Sequence, residues 1–337
     1  MTGKRSAKWD NVKFFLIFLV VLGHAMEIFC KNFSAARSLF IFIYSFHMPA
    51  FIFVSGMFSK RTVNSERFRA ERIVPFIPLW ILLHFFRNAG LYIYNNNRSF
   101  SLLDQNNIAW FMLAMFVFQT LSWALRKRNR KLVLLFSVIL SILAGFVKAI
   151  GPTLSLSRLF VFYPFFLLGI MTEREDLEEI FRKPSVKRAS VIFLLGVFVL
   201  TFVFEPECYR FRRMFTGQNS YYLYPGGFKS TNWIIRLILY PFSLLMCFSF
   251  FCIIPEKKAF YTDAGKHTLS IYFWHLPFLT ALYHLDFIKE ISMKSGLSAI
   301  IVGLAVSLLL VFIFNLKPFV EFTDLFFKAG KYLKKTE

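Results

Sequence analysis

The sequence predicts an all-α fold, a polytopic membrane bundle of about ten transmembrane helices with N- and C-termini in the cytoplasm. Three observations carry this expectation. The 337 residues are 57% hydrophobic and only 18% charged, against roughly 45–50% apolar and about a quarter charged in a soluble domain. The apolar residues fall in long runs. Every second connection between those runs is basic.

Stretches of about 17–25 apolar residues are what crosses a bilayer core. Backbone polar groups in lipid must be satisfied within the segment, so such stretches are helices. They occupy approximately 12–30, 38–58, 73–94, 108–125, 132–150, 154–171, 189–205, 233–254, 268–287 and 297–316. The first follows Lys4, Arg5 and Lys8 with no small-residue cleavage site, and reads as a start-transfer helix rather than a removable signal peptide. No internal repeat or low-complexity linker interrupts the series. Residues 1–337 are therefore expected to form a single integral-membrane domain.

The connections set the orientation. Basic segments are 1–10, 59–72 (Lys60, Arg61, Arg67, Arg69, Arg72), 126–131 (Arg-Lys-Arg-Asn-Arg-Lys), 172–188, 255–267 and the tail with Lys328, Lys331, Lys334 and Lys335. Loops 31–37, 95–107, 151–153 and 288–296 carry few positive charges. This alternation places the basic set in the cytoplasm. The connection 206–232 breaks it, with Arg210, Arg212, Arg213 and Lys229 on the outer side, but long loops obey the rule poorly. Its Tyr209, Tyr221, Tyr222, Tyr224 and Pro225-Gly226-Gly227 turn suit either a sugar or anion surface or an interfacial aromatic belt.

A net charge of +21 would suggest nucleic acid in a soluble protein. Here the cations meet anionic headgroups, so the partner is the lipid bilayer and nucleic acid is excluded. Cys30, Cys208, Cys247 and Cys252 form no C-x-x-C and no zinc spacing, so no metal is expected. Cys30 and Cys208 share the predicted outer side, which leaves a disulfide between them open.

An ionisable group inside a span is expensive unless paired or facing water, and so is a functional candidate. The first span reads Trp9-Asp10-Asn11-Val12-Lys13 and ends in Gly23-His24-Ala25-Met26-Glu27. Lys13 and His24 are three helical turns apart, about 16 Å along one face. Glu27 is three residues beyond His24, in reach of it. A carboxylate that fixes a His tautomer makes it a general base. Lys13 alone reads equally well as a snorkelling anchor.

The second span carries Ser45-Phe46-His47-Met48-Pro49 and Ser55-Gly56. A mid-span Pro is expected to kink the helix beside His47 and line a cavity. The ninth has Tyr272 and His275 ahead of Pro277, again mid-membrane. Arg72, before Pro75, suits either a phosphate clamp or a helix anchor, and Trp110 opens the fourth span. His84 and His284 lack such context and read as structural.

Together these residues resemble the acyltransferase 3 family of membrane-bound O-acyltransferases, and within it the fucose 4-O-acetylase-like branch. Lys13 followed by Gly23-His24 is similar to that family's Arg-x10-His signature, with lysine at the arginine position. Phe46-His47-Met48-Pro49 with Ser55-Gly56, Arg72-Ile73-x-Pro75, Trp110-Phe111 and Ser270-Ile271-Tyr272-x-x-His275 fall where the family has its other motifs. The resemblance implies transfer of an acetyl group from cytoplasmic acetyl-CoA, or another acyl-CoA, to a sugar hydroxyl of a cell-surface polysaccharide or its precursor. It implies His24 as the catalytic His, Lys13 as the cation that binds or positions the donor, and His47, Arg72, Trp110 and His275 as substrate- or cofactor-binding residues; with the spacing argument the catalytic set is His24, Glu27 and Lys13, and Asp10 of the same motif joins the binding set. The carbohydrate acceptor, the plasma or inner membrane as location, and association with polysaccharide assembly machinery follow from the same likeness. Direct attack and an acyl-His24 intermediate both remain open. The alternative function is a transporter or flippase of a glycan or lipid-linked intermediate, since buried His and Glu in proline-broken helices also suit coupled transport.

Overall fold

In a computed structural model the chain is described over residues 6–95, 108–151 and 153–331. Lys4, Arg5, most of the 95–107 loop, and Lys334 and Lys335 lie outside the described residues. The helices in chain order are α1 (Ala7–Phe29), α2 (Ser34–Tyr44), α3 (His47–Val63), α4 (Ala70–Ile73), α5 (Phe76–Asn95) and α6 (Trp110–Ala124). Then come α7 (Arg130–Ala144), α8 (Leu156–Met171), α9 (Arg174–Arg182), α10 (Pro184–Val203), α11 (Glu205–Arg210) and α12 (Arg212–Phe215). The chain continues with α13 (Asn232–Ile253), α14 (Thr268–Tyr283), α15 (Asp286–Ser292), α16 (Gly296–Ile313) and α17 (Lys317–Gly330). This is a multi-pass, all-helical membrane protein.

Every expected span coincides with a helix, but the helices differ in length. Among the described residues six stretches are long and apolar enough to cross a membrane, counting Ser34–Val63 and Ala70–Gly90 each as one, and a seventh joins them if Leu156–Met171 and Arg174–Arg182 are one broken span. Helices α6 and α7 have 15 residues each and α14 has 16. At 1.5 Å per residue they reach about 22–24 Å, short of the ~30 Å hydrocarbon core. Apolar runs in the sequence overshoot here because they include turn residues such as Phe146 and Val147, which lie beyond the end of α7.

The described residues group into two compact units. The first comprises 1–51, 174–215 and 241–320. At its heart is α1, packed by α2, α14 and α16. Trp9, Val12, Leu16, Ile17, Val21 and Ala25 of α1 are fully buried. A helix apolar on all sides belongs inside a bundle. By contrast Ile192 and Val203 of α10 are 71% and 64% exposed, as a lipid-facing wall should be.

The connection 255–267 is fastened onto α1 by a residue the pattern of apolar runs says nothing about. Asn11 is fully buried; its Nδ2 donates to the carbonyls of Pro255 and Lys257, both at 2.9 Å. Thr262 Oγ1 donates to Asn11 Oδ1 at 2.7 Å and accepts from the Ala259 amide at 2.8 Å. Buried polar groups must be paired, and this network pairs all of them. On the opposite side of the unit, Arg37 forms an ion pair with the buried Glu205 of α11. All four cysteines are free thiols, with Cys30 buried and donating to the Met26 carbonyl at 3.3 Å.

The second span differs from the expected proline kink. The helix is interrupted at Ser45–Phe46, and α3 starts afresh at His47. Pro49 thus sits in the first turn of α3, with no amide proton to give the Ser45 carbonyl four residues earlier. Side chains of α13 meet the two carbonyls at the break. Ser243 Oγ donates to Ser45 O at 2.8 Å, and Cys247 Sγ approaches Phe46 O at 3.7 Å.

The second unit comprises 52–173, 216–240 and 321–337. Helices α3 and α8 touch backbone to backbone: a Cβ on Gly56 would collide with the Phe166 carbonyl, and one on Gly169 with that of Phe53. The basic turn 126–131 is pinned to 64–66, with Arg126 donating to the Glu66 carbonyl at 3.0 Å and Arg130 to Asn64. Part of the 206–232 connection folds inward here. Arg236, 3% exposed, donates to Ser141 O at 2.7 Å, Asn219 O at 2.9 Å and Tyr224 Oη at 3.2 Å, and lies 4.7 Å from the Tyr221 ring centroid. Burial pushes the Tyr221 phenol up to about 12, so it stays a neutral donor to Ile142 O at 2.9 Å. Tyr221 and Tyr224 are therefore interior groups, while Tyr222 and Phe228 remain exposed.

Candidate active site

The last turns of α1 and the end of α2 build the site. Gly23 lets them meet: a Cβ there would stand 3.1 Å from Tyr44 Cε2 and 3.3 Å from Ile43 Cγ2. Beside it, His24 Nδ1 lies 3.3 Å from Glu27 Oε2. The Tyr44 hydroxyl is 3.3 Å from the same carboxylate oxygen and 3.5 Å from His24 Nδ1. Facing an acceptor, Nδ1 is the protonated nitrogen, which leaves the His24 Nε2 lone pair available. The tautomer is assigned here from the hydrogen bonds. Tyr44 is itself held by stacking on Phe40, with centroids 3.8 Å apart.

Two further imidazoles close around this pair. The break before α3 places the His47 ring 4.6 Å from that of Tyr44; its Nδ1 donates to Ile43 O at 2.8 Å, and the residue is 2% exposed. From α14, the ring of His275 lies 5.5 Å from that of His24. Its Nδ1 donates to Tyr272 O at 2.7 Å. Its Nε2 is buried and has no hydrogen-bond partner among the described residues. Each of these neutral rings has used its proton on a carbonyl, so each turns only an acceptor elsewhere.

Lys13 and Asp10 pair at 2.8 Å nearer the N-terminal end of α1, with Asp10 3% exposed. The structure thus gathers His24, Glu27, His47 and His275 into one cluster and Asp10 with Lys13 into another. Arg72 and Trp110 belong to the second unit. Arg72 is exposed on α4. Trp110 is 6% exposed, stacked on Phe162 at 5.3 Å, with the Arg158 guanidinium 4.9 Å from its ring. Among the described residues no group of three or more His, Cys, Asp or Glu is placed to hold a metal ion.

Sequence reasoning missed Tyr44 and Asn11. Tyr44 precedes His47 by three positions in a span rich in aromatics, and that spacing was the available signal. Asn11 stood inside the quoted Trp9–Lys13 motif, but nothing local distinguishes a buried amide from a headgroup contact.

The chain is 28% identical over 185 residues to the nodulation protein NolL of Mesorhizobium japonicum, and 29% identical over 184 residues to that of Sinorhizobium fredii. Each alignment covers 50% of this chain and 48% of the relative, so the chain spans about half the length of the relatives it matches. No solved structure matches it. The acyltransferase domain of the acyltransferase 3 family matches residues 6–316, which takes in α1 through α16 and both clusters just described. The chain belongs to the acyltransferase 3 family.

Proposed function

We propose that this protein is a membrane O-acetyltransferase of the plasma or inner membrane, moving an acetyl group from cytoplasmic acetyl-CoA to a sugar hydroxyl of a cell-surface polysaccharide or its precursor. The observation that carries the reading is His24, tied to Glu27 and Tyr44 and lying beside the unpartnered Nε2 of His275.

In this reading the acceptor O–H gives its proton to His24 Nε2 as the oxygen attacks the thioester carbonyl. The tetrahedral intermediate collapses, the C–S bond breaks, and the departing thiolate takes the proton from the imidazolium. Glu27 stabilises that imidazolium, and Tyr44 positions Glu27. His275 Nε2 accepts a hydrogen bond from the acceptor and orients it. His47 and His275, with their protons committed to carbonyls, are acceptors and serve to shape the site rather than to stabilise an oxyanion. Lys13, about 16 Å along the helix from His24, belongs to donor positioning with Asp10. An extended donor arm would bridge that depth.

The test is acetyl-CoA turnover by detergent-purified protein, wild type beside His24→Ala and Lys13→Ala. Turnover lost with His24 and a raised KM for the donor with Lys13 are expected. Folded wild-type protein that binds no acetyl-CoA, yet moves a glycan into vesicles, would overturn the reading in favour of transport.

A further inference from the structure

We infer that the concave face between α6, α7 and α8 is a binding site for one anionic phospholipid, its acyl chain in the groove and its phosphate on the basic turn 126–131. The inference rests on the membrane fold and is independent of acyl transfer. The groove has a volume of about 490 Å³, within the range of small-molecule sites. Its walls are Leu121 of α6, Val133, Phe136 and Leu140 of α7, and Leu156 and Leu159 of α8.

Two polar side chains stand in the wall, and both are satisfied. Ser137 Oγ donates to Leu134 O at 2.7 Å, and the Tyr163 hydroxyl shares a hydrogen bond with Ser122 Oγ at 3.2 Å. A water molecule needs about two to four polar partners, and this wall offers it none to spare. Hydrocarbon is the occupant that fits, and within a bilayer that hydrocarbon is a lipid chain.

Apolar contact alone would not select a lipid, because surrounding tails are as apolar as the leucines. Selection comes from the end of the groove. Its lining stops at Leu125 and Val133, and the turn joining them contains Arg126, Lys127, Arg128, Arg130 and Lys131. Arg126 and Arg130 hold the turn in place through Glu66 and Asn64, whereas Lys127, Arg128 and Lys131 are exposed. A pinned turn presenting three cations beside a dry slot matches a phosphate joined to a hydrocarbon tail.

Native mass spectrometry of the full-length protein, titrated with phosphatidylglycerol and with phosphatidylcholine of identical chains, tests this. Phosphatidylglycerol should bind one site about tenfold more tightly. The triple change Lys127→Ala, Arg128→Ala, Lys131→Ala should bring the two lipids to equal affinity. Leu140→Trp, at a wall position 51% exposed, should weaken both lipids several-fold. Leu132→Trp, 52% exposed on the same helix but outside the groove, should change neither. Should Leu140→Trp fail to fold, Val117→Phe narrows the groove from α6 and is read the same way. Equal affinities in the wild type, unsaturable binding, or equal effects of the groove and control substitutions would overturn the assignment.

Discussion

The ring of His275 lies 5.5 Å from that of His24, tilted by 33°, and its buried Nε2 has no hydrogen-bond partner among the described residues. An unmet buried acceptor is unfavourable by about 1–3 kcal/mol, so the site is incomplete until something donates to it. In the proposed reaction a second hydroxyl of the sugar does, because the attacking hydroxyl gives its one proton to His24. His275→Ala should therefore lower kcat/KM for the acceptor by about tenfold, one lost hydrogen bond, while leaving donor binding unchanged. Steady-state kinetics with each substrate varied separately would show it, and an equal loss on the donor side would count against the assignment.

His24→Ala addresses the base directly. Removing a general base lowers kcat by about 10²–10⁴-fold. Glu27→Gln should fall between that variant and wild type, because it keeps a hydrogen bond to Nδ1 and loses the charge that stabilises the imidazolium. Rapid-quench measurement of a single turnover separates this chemistry from product release.

Tyr44→Phe keeps the stack on Phe40 and removes only the hydroxyl that touches Glu27 and His24. The expected loss is roughly 3–10-fold in kcat, about 0.5–1.5 kcal/mol for one hydrogen bond to a carboxylate that is largely exposed. A changed pH–rate profile would mark Tyr44 as a positioning residue, since a purely structural side chain would move the rate without moving the profile.

Gly23→Val should be more damaging than Gly23→Ala. The alanine methyl meets Tyr44 Cε2 at 3.1 Å and asks for a shift of a few tenths of an ångström. The branched residue must push Tyr44 away from Glu27. Activity should drop modestly in the first and severely in the second, with thermal unfolding little changed in the first.

Arg236→Met in the second unit leaves the carbonyls of Ser141 and Asn219 and the Tyr224 hydroxyl without their donor. Hydrogen bonds to a charged group contribute about 1.5–3 kcal/mol each net, so destabilisation on the order of 3 kcal/mol is expected. Fluorescence-detected thermal unfolding in detergent would report it. An unchanged midpoint would mean that water replaces the guanidinium.

The helices were legible because apolar runs are long and their breaks polar. Span lengths were less so, since hydropathy does not register where α6, α7 and α14 stop. Pro49 misled in an instructive way. Proline marks both a kink and a first turn, and no local pattern registers that α2 ends at Tyr44 and α3 begins at His47. The grouping of His24 with Glu27 followed from helical spacing, whereas its meeting with His275 depends on how α1 and α14 pack. Tyr44 stayed hidden because its meaning depends on Gly23, a contact between two helices that no local pattern encodes.

The separation of His24 from His275 along the chain also bears on biogenesis. Translation proceeds at roughly 5–20 residues per second, so α14 leaves the ribosome about 12–50 s after α1. During that interval the dyad of His24 and Glu27 is already in the bilayer with its remaining wall unbuilt. A nascent chain stalled or truncated before α14 therefore carries His24 with Glu27 and Tyr44 in place but without the imidazole that orients the acceptor.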